Sequence, residues 1–156
     1  MKKILLAIVG LLVLAGCNNE ISDDCILQLC QYIPDHELVP QARDHMTEDF
    51  YESLNLAFMK VEETEDYFGD GEFLFYFVTG NGGSKPYYTV ESYAQPYWNE
   101  AIAVIGVQDL WEDETVPDES AEKRYYLMIL VFDRGSWRID DFDGKKAECK
   151  VYTWLL

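Results

Sequence analysis

Apolar and polar positions divide the chain into two textures, helical periods first and strand-like runs afterwards. Ile26, Leu29, Cys30 and Ile33 recur at helical spacing behind Ser22, a good N-cap, with Asp23 and Asp24 in the dipole-favoured first turn and Pro34 as a stop. Glu37 to His45 reads as a shorter helical turn. A second helix starts at Thr47: Glu48 and Asp49 fill its first turn, and Phe50, Leu54, Ala57, Phe58 and Val61 form one apolar face.

An acidic, glycine-broken loop at 62–71 ends this half. Beyond it, "EFLFYFVT" (72–79) reads as a strand, "GNGGS" as a turn and "KPYYTVESY" as a partner strand. "AIAVIGVQDLW" (101–111) predicts a long strand, and "EDETVPDES" a polar loop. "RYYLMILVF" (124–132) turns through "DRGS" into "WRIDDF" (137–142), a hairpin. At the C-terminus Ala147, Val151, Trp154 and Leu155 have helical spacing, while Cys149, Val151, Thr153 and Leu155 also alternate; helix is the reading adopted.

Helices followed by antiparallel strands predict an α+β domain with the helices packed on one sheet face. A sheet with one wet face should alternate apolar and polar residues. Residues 73–78 and 125–132 are instead apolar on both sides, so something is expected to cover the second face: a second copy in a homodimer, a bound partner, or the chain's own C-terminal segment.

The first residues carry a different signal. Lys2 and Lys3 precede Ile4 to Leu14, a run built only from Ile, Leu, Val, Ala and Gly. This is a signal-peptide core, and at about 16 Å of helix it is too short to span a bilayer. Leu14-Ala15-Gly16-Cys17 resembles the bacterial lipobox. That resemblance implies cleavage before Cys17, a diacylglycerol on its sulfur and further acylation of the new amine. The expected organisation is a signal peptide at 1–16, a tether at 17–21 and a single domain at 22–156. The protein would be anchored to a membrane without spanning it.

Loss of residues 1–16 removes two of the twelve basic residues and none of the 29 acidic ones, which takes the formal charge from −17 to −19. Negative charge of that size argues against nucleic acid and anionic head groups as partners and suits a cationic one. With Cys17 assigned to lipid, Cys25, Cys30 and Cys149 remain. In an exported chain that count favours one disulfide, Cys149 with Cys30 or Cys25, closing a long loop for about 4 to 5 kcal/mol. Three unpaired thiols are the alternative.

The order of elements and the late hairpin ending "GSWRIDDF" resemble the nuclear transport factor 2-like fold. More narrowly, Trp137, Ile139, Asp140 and Asp141 match the Trp-x-Ile-Asp-Asp strand of bacterial lipoproteins of unknown function that carry this cone-shaped domain. The resemblance implies a strongly bent sheet around a pocket closed by helices. Enzymes of this fold, ketosteroid isomerase and scytalone dehydratase among them, use Asp, Tyr or His inside the cone. None of their catalytic motifs maps onto this chain, so none is carried over.

Local constellations offer little chemistry. His36 and His45 sit beside carboxylates, but nine residues of spacing does not assemble the three or four ligands of a zinc site. "GNGGSK" lacks the phosphate-loop register. The acidic stretches around Gly71 and Gly144 place Phe77 and Lys150 where a calcium loop needs its last carboxylate. No metal or cofactor is therefore expected. Asp140 or Asp109, if desolvated, is where an acid/base enzyme would find its carboxylate. The densest aromatic run, "PYYTVESYAQPYW", makes Tyr88, Tyr93, Tyr97 and Trp98 the candidate recognition surface. The expectation is a non-catalytic, lipid-anchored envelope module that binds a protein, peptide or small ligand, of inhibitor or immunity type if its acidity meets a cationic target. A small-molecule enzyme is the alternative. Asn18 rather than Asp after the lipid-bearing Cys17 favours the outer membrane in a two-membrane cell, and the acidic "NNEISDD" is the stretch that would accompany surface export instead.

Overall fold

The computed structural model describes residues 19–34, 38–64, 85–111, 114–118 and 120–155. The expected strand at 72–79, the turn after it and His36 lie outside these residues. The described part is α+β, three α-helices with an open, four-stranded antiparallel sheet.

The helices begin where their caps predict. Helix α1 is Asp23–Cys30, and the Ser22 hydroxyl accepts the Cys25 backbone N–H at 3.3 Å, satisfying one donor that the helix itself cannot. Ile26, Leu29 and Cys30 are its buried stripe. The expected turn at 37–45 is a 3-10 helix, Pro40–Asp44, with proline at its start, where a missing N–H is harmless. Helix α2, Glu48–Thr64, follows Thr47, whose hydroxyl accepts the Phe50 N–H at 3.4 Å. Phe50, Leu54 and Ala57 are fully buried, as their spacing requires.

Strands β1 (Lys85–Tyr97), β2 (Glu100–Leu110), β3 (Arg124–Asp133) and β4 (Ser136–Phe142) pair in chain order. The β3–β4 turn puts Arg134 at φ 52° and Gly135 at φ 85°, left-handed at both central positions, which suits the twist of a two-residue hairpin. Helix α3, Lys145–Leu155, completes the chain and settles the C-terminal ambiguity in favour of helix.

On the inner sheet face Ala101, Ala103, Ile105 and Val107 are buried in alternation, beside Met128 and Leu130 of β3 and Trp137, Ile139 and Phe142 of β4. They share one core with Ile26, Leu29, Phe50 and Leu54 of the helices. Helix α3 packs against α2 and β4 and adds Cys149 to that core. The C-terminal segment is therefore a third member of the helical layer and does not cover the outer sheet face. The face expected from its spacing is not the one that packs: Cys149 is buried, whereas Ala147 and Val151 are exposed.

The helical layer is joined to the sheet at the edge of β4. Ile139 donates its N–H to the His45 carbonyl at 2.9 Å and accepts the Thr47 N–H at 2.8 Å, forming a parallel bridge at Met46. The next two residues of the Trp-x-Ile-Asp-Asp stretch extend this junction. Asp140 Oδ1 accepts the Thr47 hydroxyl at 2.7 Å and Lys146 Nζ at 2.8 Å. Asp141 Oδ1 accepts the Lys146 N–H at 2.9 Å and the Phe142 N–H at 2.8 Å, serving the first turn of α3. Asp49 of α2 then meets Lys150 at 2.8 Å and Lys146 at 3.1 Å.

Two outcomes test this junction. Thr47→Ala and Asp140→Ala should each lower unfolding stability by about 1 to 2 kcal/mol, and the double variant by less than their sum, as denaturant titration would show. Asp49 is held below its ordinary value of 3.8 mainly by hydrogen bonds from Lys150 and then Lys146. A lowered carboxyl pKa adds stability above the unfolded value and loses it as the pH falls through the folded one. The stability gap between wild type and Asp49→Asn should be present at neutral pH and close below pH 3.8; because Asp49 is 59% exposed, it should be under about 1 kcal/mol.

Candidate functional site

Two surface features emerge from the sheet. The first is the β1–β2 hairpin, where the sequence places its candidate aromatics. Tyr97 pairs with Glu100, leaving Trp98 and Asn99 as the turn. Trp98 is 67% exposed, Tyr97 65% and Tyr93 44%. Tyr88 belongs elsewhere: it is half-buried and packs against the core from the middle of β1. The four predicted recognition residues are thus three exposed ones at the hairpin end and one that is part of the packing.

Gln95 organises this end. Its Oε1 accepts the Ile21 N–H at 3.2 Å, and its Nε2 donates to the Asn19 carbonyl at 2.9 Å and to the Trp98 carbonyl at 3.3 Å. Ile21 itself is core, at 5% exposed. The expected tether at 17–21 is accordingly docked from Asn19 onward. Nothing local announces Gln95: its partners lie 74 and 76 residues away.

The second feature is the outer face of β2 and β3. Ile102 stands opposite Ile129, and Val104 opposite Leu127, on the side away from the helices. Ile102 and Leu127 are 40% and 45% exposed, and Tyr125 beside Gly106 is 61%. The face turns polar at one side, where the Thr89 hydroxyl and Lys123 Nζ both bond Glu91 Oε1, at 2.6 and 2.9 Å. Gly106 leaves room for this group, since a Cβ there would lie 2.5 Å from Thr89 Oγ1.

The catalytic candidates are occupied by protein partners. Asp140 holds Thr47 and Lys146, and Asp109 is paired with Arg124 at 2.8 Å. His45 is stacked on Tyr32 with ring centroids 3.6 Å apart. Among the described residues no group of three His, Cys, Asp or Glu side chains could hold a metal ion.

The expected Cys30–Cys149 disulfide is not formed. Cys25, Cys30 and Cys149 are free thiols. Cys30 and Cys149 lie in the helical layer as small apolar side chains of the core, and burial pushes each thiol up to about 12. They stay protonated and unreactive at neutral pH. Cys25 is half-buried, with its pKa raised by burial.

Residues 1–18 match the family described as the prokaryotic membrane lipoprotein lipid attachment site. The protein is a lipid-anchored lipoprotein. No curated protein and no solved structure matches the chain. No helix among the described residues is long and apolar enough to cross a membrane.

In non-reducing mass mapping of the native lipoprotein, Cys30 and Cys149 should remain unalkylated at neutral pH and become fully alkylated after denaturation without reductant. Recovery of a Cys30–Cys149 linked peptide would contradict the free-thiol core.

Proposed function

We propose that this lipoprotein is a non-catalytic binding module of the cell envelope that takes a protein or peptide partner on the outer face of β2 and β3. The observation that carries the reading is the uncharged patch of Ile102, Val104, Leu127, Ile129 and Tyr125, with three of its members substantially exposed on adjacent strands of a strongly acidic chain. A mature formal charge of −19 favours a partner with cationic residues around an apolar centre, as an inhibitor or immunity protein would meet in its target. Engagement of Asp140 and Asp109 by internal cations supports a binding role over acid/base catalysis.

The late hairpin, and helices gathered on one face of an antiparallel sheet, support the nuclear transport factor 2-like reading. So do the register irregularities that bend β1 and the β3–β4 pair. Asn18 supports the outer membrane as destination, and the acidic "NNEISDD" would support surface export instead. A small-ligand reading rests on one atom: Trp137 Nε1 is buried without a hydrogen-bond partner among the described residues, a donor that a ligand in the cone could satisfy. The two readings separate at Leu127, because a ligand inside the cone is indifferent to charge placed on the outer face.

A photo-cross-linking side chain at position 125 should give one discrete adduct in intact envelopes, and Leu127→Glu should abolish it. The same probe at Val116, in an exposed loop, should give none. An adduct of twice the chain mass assigns the face to a homodimer, and absence of any adduct at position 125 counts against the reading.

A further inference from the structure

The N-terminal segment and the hairpin tip meet at one side chain, Gln95. Gln95 Nε2 lies within hydrogen-bond distance of the carbonyls of both Asn19 and Trp98. Its Oε1 takes the N–H of Ile21, which is buried in the core. The chain is therefore fixed to the domain from Asn19, and only Cys17 and Asn18 lie between that point and the acyl chains. Two residues reach at most about 7 Å. A bilayer that holds the lipid of Cys17 must come close to the β1–β2 turn.

What the turn presents is suited to that surface. Trp98 and Tyr97 have the largest exposed fractions of any large hydrophobic side chains described. Each has an apolar ring body with a polar N–H or O–H, the combination that settles at the level of lipid head groups. From Ser92 to Asn99 there is no charged residue, an uncharged stretch in a chain of formal charge −17. Many other approaches of so acidic a body to a membrane set carboxylates against the head groups. Glu91 and Glu100 at the two ends of the stretch, and Glu20 on the docked segment, oppose anionic lipids but not zwitterionic ones.

We propose that Tyr97 and Trp98 form a second membrane contact, lying in the zwitterionic head-group layer of the bilayer that carries the Cys17 lipid, and that Gln95 sets the orientation of the domain on that surface. The inference rests on lipidation and is independent of what binds the outer sheet face. Acyl chains alone leave a domain free to tumble about its tether; a docked tether and an aromatic tip beside it together define which way the domain faces.

The test uses the full lipidated chain, its acylation verified by mass spectrometry, in phosphatidylcholine vesicles brominated either near the head groups or near the bilayer centre. Tryptophan fluorescence of the wild type should be quenched by the shallow bromines much more than by the deep ones. Trp98→Phe should lose the greater part of that quenching, whereas Trp111→Phe, at another exposed tryptophan, should keep it. Gln95→Ala, with thermal unfolding unchanged, should reduce the shallow quenching of Trp98. Undiminished quenching in Trp98→Phe would show that the tip does not touch lipid, and undiminished quenching in Gln95→Ala would remove the orienting role of the clamp; either result overturns the proposal. The vesicles contain no other protein, so a tip reserved for a protein partner appears as a wild type without shallow quenching.

Discussion

The architecture depends on the way Ile139 spends its backbone groups. In an antiparallel pair, alternate residues point their N–H and C=O away from the neighbouring strand, and at a sheet edge these groups are a liability. Ile139 directs both at the segment 45–47, through His45 and Thr47. That bond pair converts an exposed edge into the seat of α2. The two aspartates that follow continue the same work, one receiving Thr47 and Lys146, the other the first turn of α3. Three consecutive residues of β4 thereby locate two helices, and the apolar faces of those helices close the core.

The acidic residues of the late strand, which look like chemistry in the sequence, bond Thr47, Lys146 and the first turn of α3. A carboxylate on a strand next to lysine and threonine can be an acid/base group only if its lone pairs are free to meet a substrate. Here Thr47 and Lys146 both bond Asp140 through its Oδ1. The cysteines follow a similar logic. In an exported chain they invite pairing, but Cys30 and Cys149 fill space in a close-packed layer where a thiol is an adequate small hydrophobe.

The local rules of helix and strand made much of the fold legible. Ser22 and Thr47 mark their helices by capping chemistry that operates within three residues, and the Arg134–Gly135 turn is announced by glycine between two apolar runs. The edge of the outer face could be seen as missing alternation in residues 125–132, although the sequence could not say which of three occupants to exclude. Less legible were the interactions whose partners are far apart in the chain. Gln95 binds residues more than seventy positions upstream, and Asp140 binds Thr47 across 93. Neither leaves a periodicity to read. Tyr88 and Tyr97 likewise look equivalent in the sequence, and only the pairing of β1 shows that one packs inward and the other projects from the end.

The docked N-terminal segment also fixes a working radius. A lipoprotein on a long polar stalk samples a hemisphere of tens of ångströms and can meet partners well away from its membrane. With Asn19 and Ile21 held by the domain, no such stalk exists between the acyl chains and the fold. The molecule can meet only what comes within its own height of the bilayer. A lipid-anchored molecule diffuses in two dimensions, so its encounters take place at that surface.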